Sequence, residues 1–164
     1  MMTLYHGSYT KVMRAEVAKG RTKVDFGQGF YLTAIRKQAE KWAQVIAIRK
    51  GPLYSATVNI YEFDDEVFKS KKYNIKHFPE YNIEWLDYVI DCRAGGFYQS
   101  KYDIIEGGVA NDNVIDTVED YENGAITAEQ ALGQLRYKEV NHQICIRNQN
   151  IINDFLKYTD SYKI

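Results

Sequence analysis

Asp25-Phe26-Gly27-Gln28-Gly29-Phe30-Tyr31-Leu32-Thr33 sets two glycines directly before a run of aromatic and aliphatic residues. Closely spaced glycines suit a tight turn, and residues 30–33 suit the strand that follows it, with Tyr31 inside that strand. The pattern then changes. Over residues 34–50, Ile35, Ala39, Trp42, Ala43 and Ile46 recur three or four apart, which defines one face of a helix closed by Gly51-Pro52. Upstream, residues 3–8 (Thr-Leu-Tyr-His-Gly-Ser) form a short strand that stops at Gly7-Ser8 and leaves His6 near its end. Downstream, Tyr54, Ala56, Val58, Ile60 and Tyr61 mark a third strand over residues 53–63, with Asp64-Asp65-Glu66 as its solvated exit.

The second half continues the mixture. Residues 67–73 suit an edge strand, and Ile83, Leu86, Val89 and Ile90 carry helical spacing after Pro79. A glycine-broken strand is predicted over residues 102–109, and helices over 112–121 and 127–135, the second opened by a Thr127/Gln130 capping box. Residues 142–147 form a short strand. A helix burying Ile151, Ile152, Phe155 and Leu156 follows, then a terminal strand over 161–164. Strands separated by unequal helices, without a regular βαβ rhythm, predict an α+β fold.

A chain of 164 residues suffices for one self-contained core, so a single domain over residues 1–164 is expected. Its apolar and charged fractions of 45% and 26% lie in the globular range, which argues against disorder. The net charge of −1 provides no strong field for nucleic acid or an anionic membrane. Cys92 and Cys145 are too few for a disulfide framework and lie in apolar surroundings, so buried thiols in a reducing cytoplasm are expected. The opening residues carry no basic leader with an apolar run, and no segment is apolar for the thickness of a bilayer; neither secretion nor a membrane partner is expected.

Leu4-Tyr5-His6-Gly7-Ser8, then Phe26-Gly27-Gln28-Gly29-Phe30-Tyr31-Leu32-Thr33, then a helix carrying Trp42, resembles the ADP-ribosyltransferase superfamily. The likeness is to its poly(ADP-ribose) polymerase and diphtheria-toxin branch, which carries a His, a Tyr and a Glu in three successive motifs. The chain is also similar to uncharacterised bacterial domains of that superfamily, in which a Tyr-Asp-Ile strand and an Asn-Gln-Ile-Cys-like strand follow in order; Tyr102-Asp103-Ile104 and residues 141–145 match these.

The resemblance implies a split β-sheet core with flanking helices and an NAD cleft. In it, His6 bonds ribose hydroxyls and Gly7 admits backbone contacts to the nicotinamide carboxamide. Tyr31 and Trp42 close on the nicotinamide ring, where flat aromatics attract a pyridinium by roughly 0.5–2 kcal/mol. Ser8, Phe26 and Gly29 belong to the same matched motifs. The third position departs from the pattern, because Gln143 stands where the transferases carry Glu. Gln143 keeps a hydrogen bond but no charge, and a unit charge about 4 Å from the oxocarbenium-like ribose is worth roughly 4 kcal/mol at an effective dielectric of 20, or about a thousandfold in rate. Glu139 is a poor substitute, roughly 13 Å away along an extended strand. Asn141, two residues before Gln143, matches the position where arginine-modifying relatives contact their target.

The function expected is therefore mono-ADP-ribosylation of a cytosolic macromolecule, protein or nucleic acid, with NAD as co-substrate. The bacterial likeness adds a toxin-like role and a neutralising, antitoxin-like protein partner. Two readings stand beside it: a module that binds NAD or ADP-ribose without chemistry, and an NAD glycohydrolase using water. Asp25, Asn111 and Asp112 also lie in segments that match, the run over residues 102–112 is a candidate lining of the cleft, and Glu106 is a further candidate acid; Glu106 and Asp112 equally suit solvated loop or helix-cap positions, and neither is assigned a catalytic role. The Asp-Phe-Gly letters lack the other protein-kinase motifs. His142 and Cys145 are at an odd offset that sends them to opposite faces of a strand, and Asp64-Asp65-Glu66 reads as a turn, so no metal is expected.

Overall fold

The computed structural model describes residues 1–96, 101–110, 112–136 and 141–164. Within them the chain is mixed α+β, with two sheets and five α-helices. β1 (Met2–Ser8), β3 (Thr57–Phe63) and β7 (Leu156–Lys163) form an antiparallel sheet with β3 in the centre. The second sheet has the order β2 (Phe30–Leu32), β6 (Gln143–Ile146), β5 (Ile104–Gly107), β4 (Ile75–His77); only its β4–β5 pair is parallel.

α1 (Arg36–Lys50) packs on the first sheet through Ala39, Ala43 and Ala47, four apart. This narrow stripe replaces the broader expected face: Ile35 ends up as the N-terminal flank, and Trp42 is 40% exposed. Gly7 is the cause. A Cβ there would collide with the Ala39 carbonyl oxygen and lie 2.8 Å from Ala43 N, so the helix backbone rests directly on β1 and only alanines fit between.

Other boundaries moved for local reasons. The edge strand expected over residues 67–73 is absent; Asp64 accepts from Glu66 N–H and starts a 3-10 turn, Asp65–Lys69, and β4 begins only at Ile75. Tyr54 stays outside β3, where Tyr54 N–H bonds Gly51 O in a turn. Leu156, expected on a helix, opens β7 opposite Phe63, so the last strand starts well before residue 161.

α2 (Ile83–Ala94) is capped by Asn82, whose side chain accepts from Trp85 N–H at 2.8 Å. α3 (Asp112–Glu122) and α4 (Ala128–Leu135) follow β5, and Thr127 with Gln130 forms the expected capping box. α5 (Gln149–Phe155) closes the second half. Two larger apolar clusters result. Phe26, Phe78, Trp85, Leu86, Val89, Val114, Leu135 and Cys145 unite the helices α2–α4 with one face of the second sheet. Leu4, Phe30, Leu32, Tyr61, Phe63, Ile104, Ile144 and Ile146 join the two sheets to each other. Among the described residues, no helix is long and apolar enough to cross a membrane.

Candidate functional site

Where β1 meets β2, one isolated backbone bridge joins the two sheets among the described residues: Tyr5 N–H donates to Thr33 O at 2.8 Å and Thr33 N–H to Tyr5 O at 2.9 Å. Beyond it the strands belong to different sheets, which leaves a fork with Gly7 on one arm and Tyr31 on the other. Backbone groups alternate sides along an antiparallel strand, so the Gly7 N–H and C=O lie on the same edge as those of Tyr5 and face the fork, away from β3. Ser8, buried, ends that arm.

His6 spans the fork. Its Nδ1 lies 2.7 Å from the Tyr31 carbonyl oxygen, and because a carbonyl only accepts, Nδ1 carries the hydrogen and Nε2 keeps a lone pair. The imidazole leans on Phe30, ring centroids 4.4 Å apart. Burial holds its pKa below the ordinary 6.5, opposed by the bond to Tyr31, so the ring is neutral.

Tyr31 is fixed from both ends. Its hydroxyl donates to Gly27 O at 2.6 Å and accepts from Phe26 N–H at 3.0 Å, which ties the ring over the 26–27 turn. Its strand partner is Cys145, and Gln143, two residues along β6, shares that face of the sheet. Burial first, then Cys145 and Asp25, raises the Tyr31 pKa well above its usual value; burial also pushes the Cys145 thiol up to about 12, which leaves it an inert core residue.

Gln143 is 6% exposed, and its NH2 group is fully committed: Nε2 donates to Asp25 Oδ2 and to Gly108 O, both at 3.1 Å. Both acceptors require the NH2 group, so the amide orientation is set by its neighbours and Oε1 points the other way, with no bond to a described residue. Asp25 is a buried hub. Oδ1 takes Arg93 Nη1 at 2.8 Å, and Oδ2 takes Ala110 N–H at 2.8 Å besides Gln143. Burial raises the Asp25 pKa, and the donors from Ala110, Gln143 and Arg93 oppose that rise.

The other expected site residues divide. Phe26 is core: its ring lies 6.1 Å from those of Phe78 and Tyr88. Gly29 is a close-approach glycine, since a Cβ there would collide with Cys145 Sγ and lie 2.9 Å from Ile146 O. Trp42 makes no ring contact with Tyr31; it faces the guanidinium groups of Arg21 and Arg49 at 5.5 and 5.6 Å. Asn141 is a backbone clamp. Its Oδ1 accepts from Val109 N–H at 2.8 Å and Tyr81 Oη at 2.9 Å, while Nδ2 donates to Val109 O at 3.3 Å, which fixes the segment beside Gln143. Glu139, Asn111 and the Asp112 side chain lie outside the described residues.

The partners of two residues singled out in the sequence, Asp25 and Glu106, were not visible there. Asp25 had no visible partner, because Arg93, Ala110 and Gln143 are 68, 85 and 118 residues away. Glu106, on the face of β5 opposite Ile105, accepts from His77 Nδ1 at 2.6 Å and His142 Nε2 at 2.7 Å. Among the described residues, no group of three or more His, Cys, Asp or Glu is arranged to hold a metal ion.

The fold and site thus define an α+β protein with a forked pair of sheets, a neutral His and a fixed Tyr at the fork, and a fixed Gln on the neighbouring strand β6. A family model described as "Protein of unknown function (DUF3990)" matches residues 2–158, and the chain belongs to that family. No curated protein matches the chain.

Proposed function

We propose that the fork is an NAD cleft and that the protein is an NAD-dependent mono-ADP-ribosyltransferase. The observation that supports this reading is the meeting of His6, the Gly7 strand edge and Tyr31 where the sheets part, with Gln143 on the same sheet face as Tyr31, one strand away. Each group has the polarity the chemistry asks for. A strand edge offers one donor and one acceptor, the complement of a primary carboxamide. His6 Nε2 is an acceptor for a ribose hydroxyl, and the held Tyr31 ring is a preorganised flat surface. Gln143 Oε1 is an acceptor for the hydroxyl of the nicotinamide ribose.

In the reaction proposed, the ribose–nicotinamide C–N bond breaks and its electron pair leaves on the nicotinamide nitrogen. The acceptor's nucleophilic atom forms the new bond to the ribose carbon and gives its proton to solvent. Acceptor, cytoplasmic location, toxin-like role and neutralising partner enter by analogy with the resembling bacterial domains. A second reading, binding of NAD or ADP-ribose without turnover, is favoured by one observation: the strand residue is a neutral amide, so the ribose cation gains no charge from it. Labelled NAD with cell extract separates these readings. Label transfer that vanishes in both His6→Ala and Tyr31→Ala supports the transferase; nicotinamide release without labelled macromolecules indicates glycohydrolysis; binding without either leaves the module. No binding at all overturns the cleft.

A further inference from the structure

We infer that Asp25 is a positioning residue for Gln143: its carboxylate holds one amide hydrogen, Gly108 O holds the other, and Oε1 alone is presented to the nicotinamide-ribose hydroxyl. This rests on the NAD reading of the fork for the identity of the hydroxyl, and on geometry for the rest. Left to itself, a glutamine side chain offers either end to a ligand. Here the NH2 group has two acceptors, Asp25 Oδ2 and Gly108 O, each 3.1 Å away, and a flipped amide would set its carbonyl oxygen against both. Asp25 in turn cannot swing aside, because Arg93 Nη1 and Ala110 N–H each hold it at 2.8 Å.

The arrangement also accounts for the amide at a position where the resembling transferases carry a carboxylate. Gln143→Glu would set a second carboxylate, with no hydrogen to give, against Asp25 Oδ2 and Gly108 O, and bring two buried like charges into contact. The negative charge of this site has been placed one residue deeper, on Asp25, and the strand residue is the neutral group that a deep carboxylate orients. The ligand selected is a sugar bearing a hydroxyl donor at that point.

The test has one arm that needs no turnover and one that reads the substrate. In the wild-type protein, the Gln143 side-chain NH2 signals, assigned by their loss in Gln143→Met, should exchange slowly with solvent, and Asp25→Asn should make them exchange rapidly. Rapid exchange in the folded wild-type protein overturns the positioning role whatever the protein does with NAD. For the second arm, NAD binding is compared with binding of the analogue lacking the 2′-hydroxyl on the nicotinamide ribose. Wild type should prefer NAD by about tenfold, the worth of one hydrogen bond, and Asp25→Asn should abolish that preference rather than weaken both ligands alike.

Gln143→Glu should lose the preference as well, and Asp25→Asn/Gln143→Glu, which again pairs one donor with one acceptor, should regain part of it. An equal preference in wild type and Asp25→Asn, with no recovery in the double variant, overturns the proposal. Slow amide exchange released by Asp25→Asn, in a protein that binds neither ligand, would retain the positioning and discard the NAD reading.

Discussion

Glu106 Oε1 and His142 Nε2 are 2.7 Å apart, in a bond that crosses from β5 to the residue before β6 and anchors the start of the strand that carries Gln143. The other imidazole nitrogen of His142 accepts from Ala34 N–H at 3.4 Å, so Nε2 is the donor to the carboxylate. The His142 bond is the largest influence holding the Glu106 carboxyl below its ordinary 4.5; burial works against it, and His77 adds to it. A depressed carboxyl pKa contributes stability that is fully present above that ordinary value and is lost as pH falls through the folded value. Glu106→Gln should therefore cost about 1 kcal/mol at neutral pH and less at strongly acidic pH, measured by urea unfolding across pH.

His6 acts in the opposite ionic sense. Its folded pKa lies below 6.5 because the ring is buried, so the unfolded chain takes up a proton before the folded one does. That contribution is constant above about 6.5 and wanes as pH falls below it. His6→Gln should remove this slope from the stability profile below about pH 6.5. Wild-type NAD affinity should hold over that slope and fall only at still lower pH, as pH passes through the folded value and Nε2 loses its lone pair; titration calorimetry at several pH values reads this.

Gly7→Ala should destabilise by about 2–3 kcal/mol, because the new methyl must displace the Ala39–Ala43 backbone of α1. Urea denaturation with an unchanged m-value would identify this as overpacking. A loss within about 0.5 kcal/mol would contradict the close helix contact.

Tyr31 permits its two tasks to be separated. Tyr31→Phe leaves Phe26 N–H and Gly27 O without the hydroxyl and should cost about 1–2 kcal/mol of stability, while its ring keeps NAD affinity within about threefold. Tyr31→Ala should lose affinity by about tenfold or more. Equal affinity losses in both variants would show that the hydroxyl, and not the ring, serves the ligand.

Much of the architecture was legible because it rests on short-range patterns. The Gly27–Gly29 spacing announced a turn before β2, and Thr127 with Gln130 announced a helix start that the structure reproduces bond for bond. Periodicity misled at Trp42, since an apolar residue beside a genuine face looks like a member of it; what narrowed that face to alanines was Gly7, on a different element. The resemblance grouped His6, Tyr31 and Gln143 and also touched Asp25 and Glu106, but the bonds that fix Asp25 and Glu106 were not legible, because their partners lie far along the chain. Gln143 looked from sequence like a residue that had lost a charge. Its fixed amide is a property of Asp25 and Gly108, which no local pattern displays.

The lone Tyr5–Thr33 bridge has a consequence for how this architecture can vary. Two backbone hydrogen bonds are a small fraction of what unites the sheets; the shared cluster of Leu4, Phe30, Leu32, Tyr61, Ile144 and Ile146 supplies most of the adhesion. Hydrogen-bond ladders fix strand spacing in steps, whereas packed side chains set a separation by their volume. The separation between Gly7 and Tyr31 is thus graded by the bulk of buried side chains, and if the proposed cleft lies there, substitutions at Leu4 or Phe30 should change the size of molecule it admits.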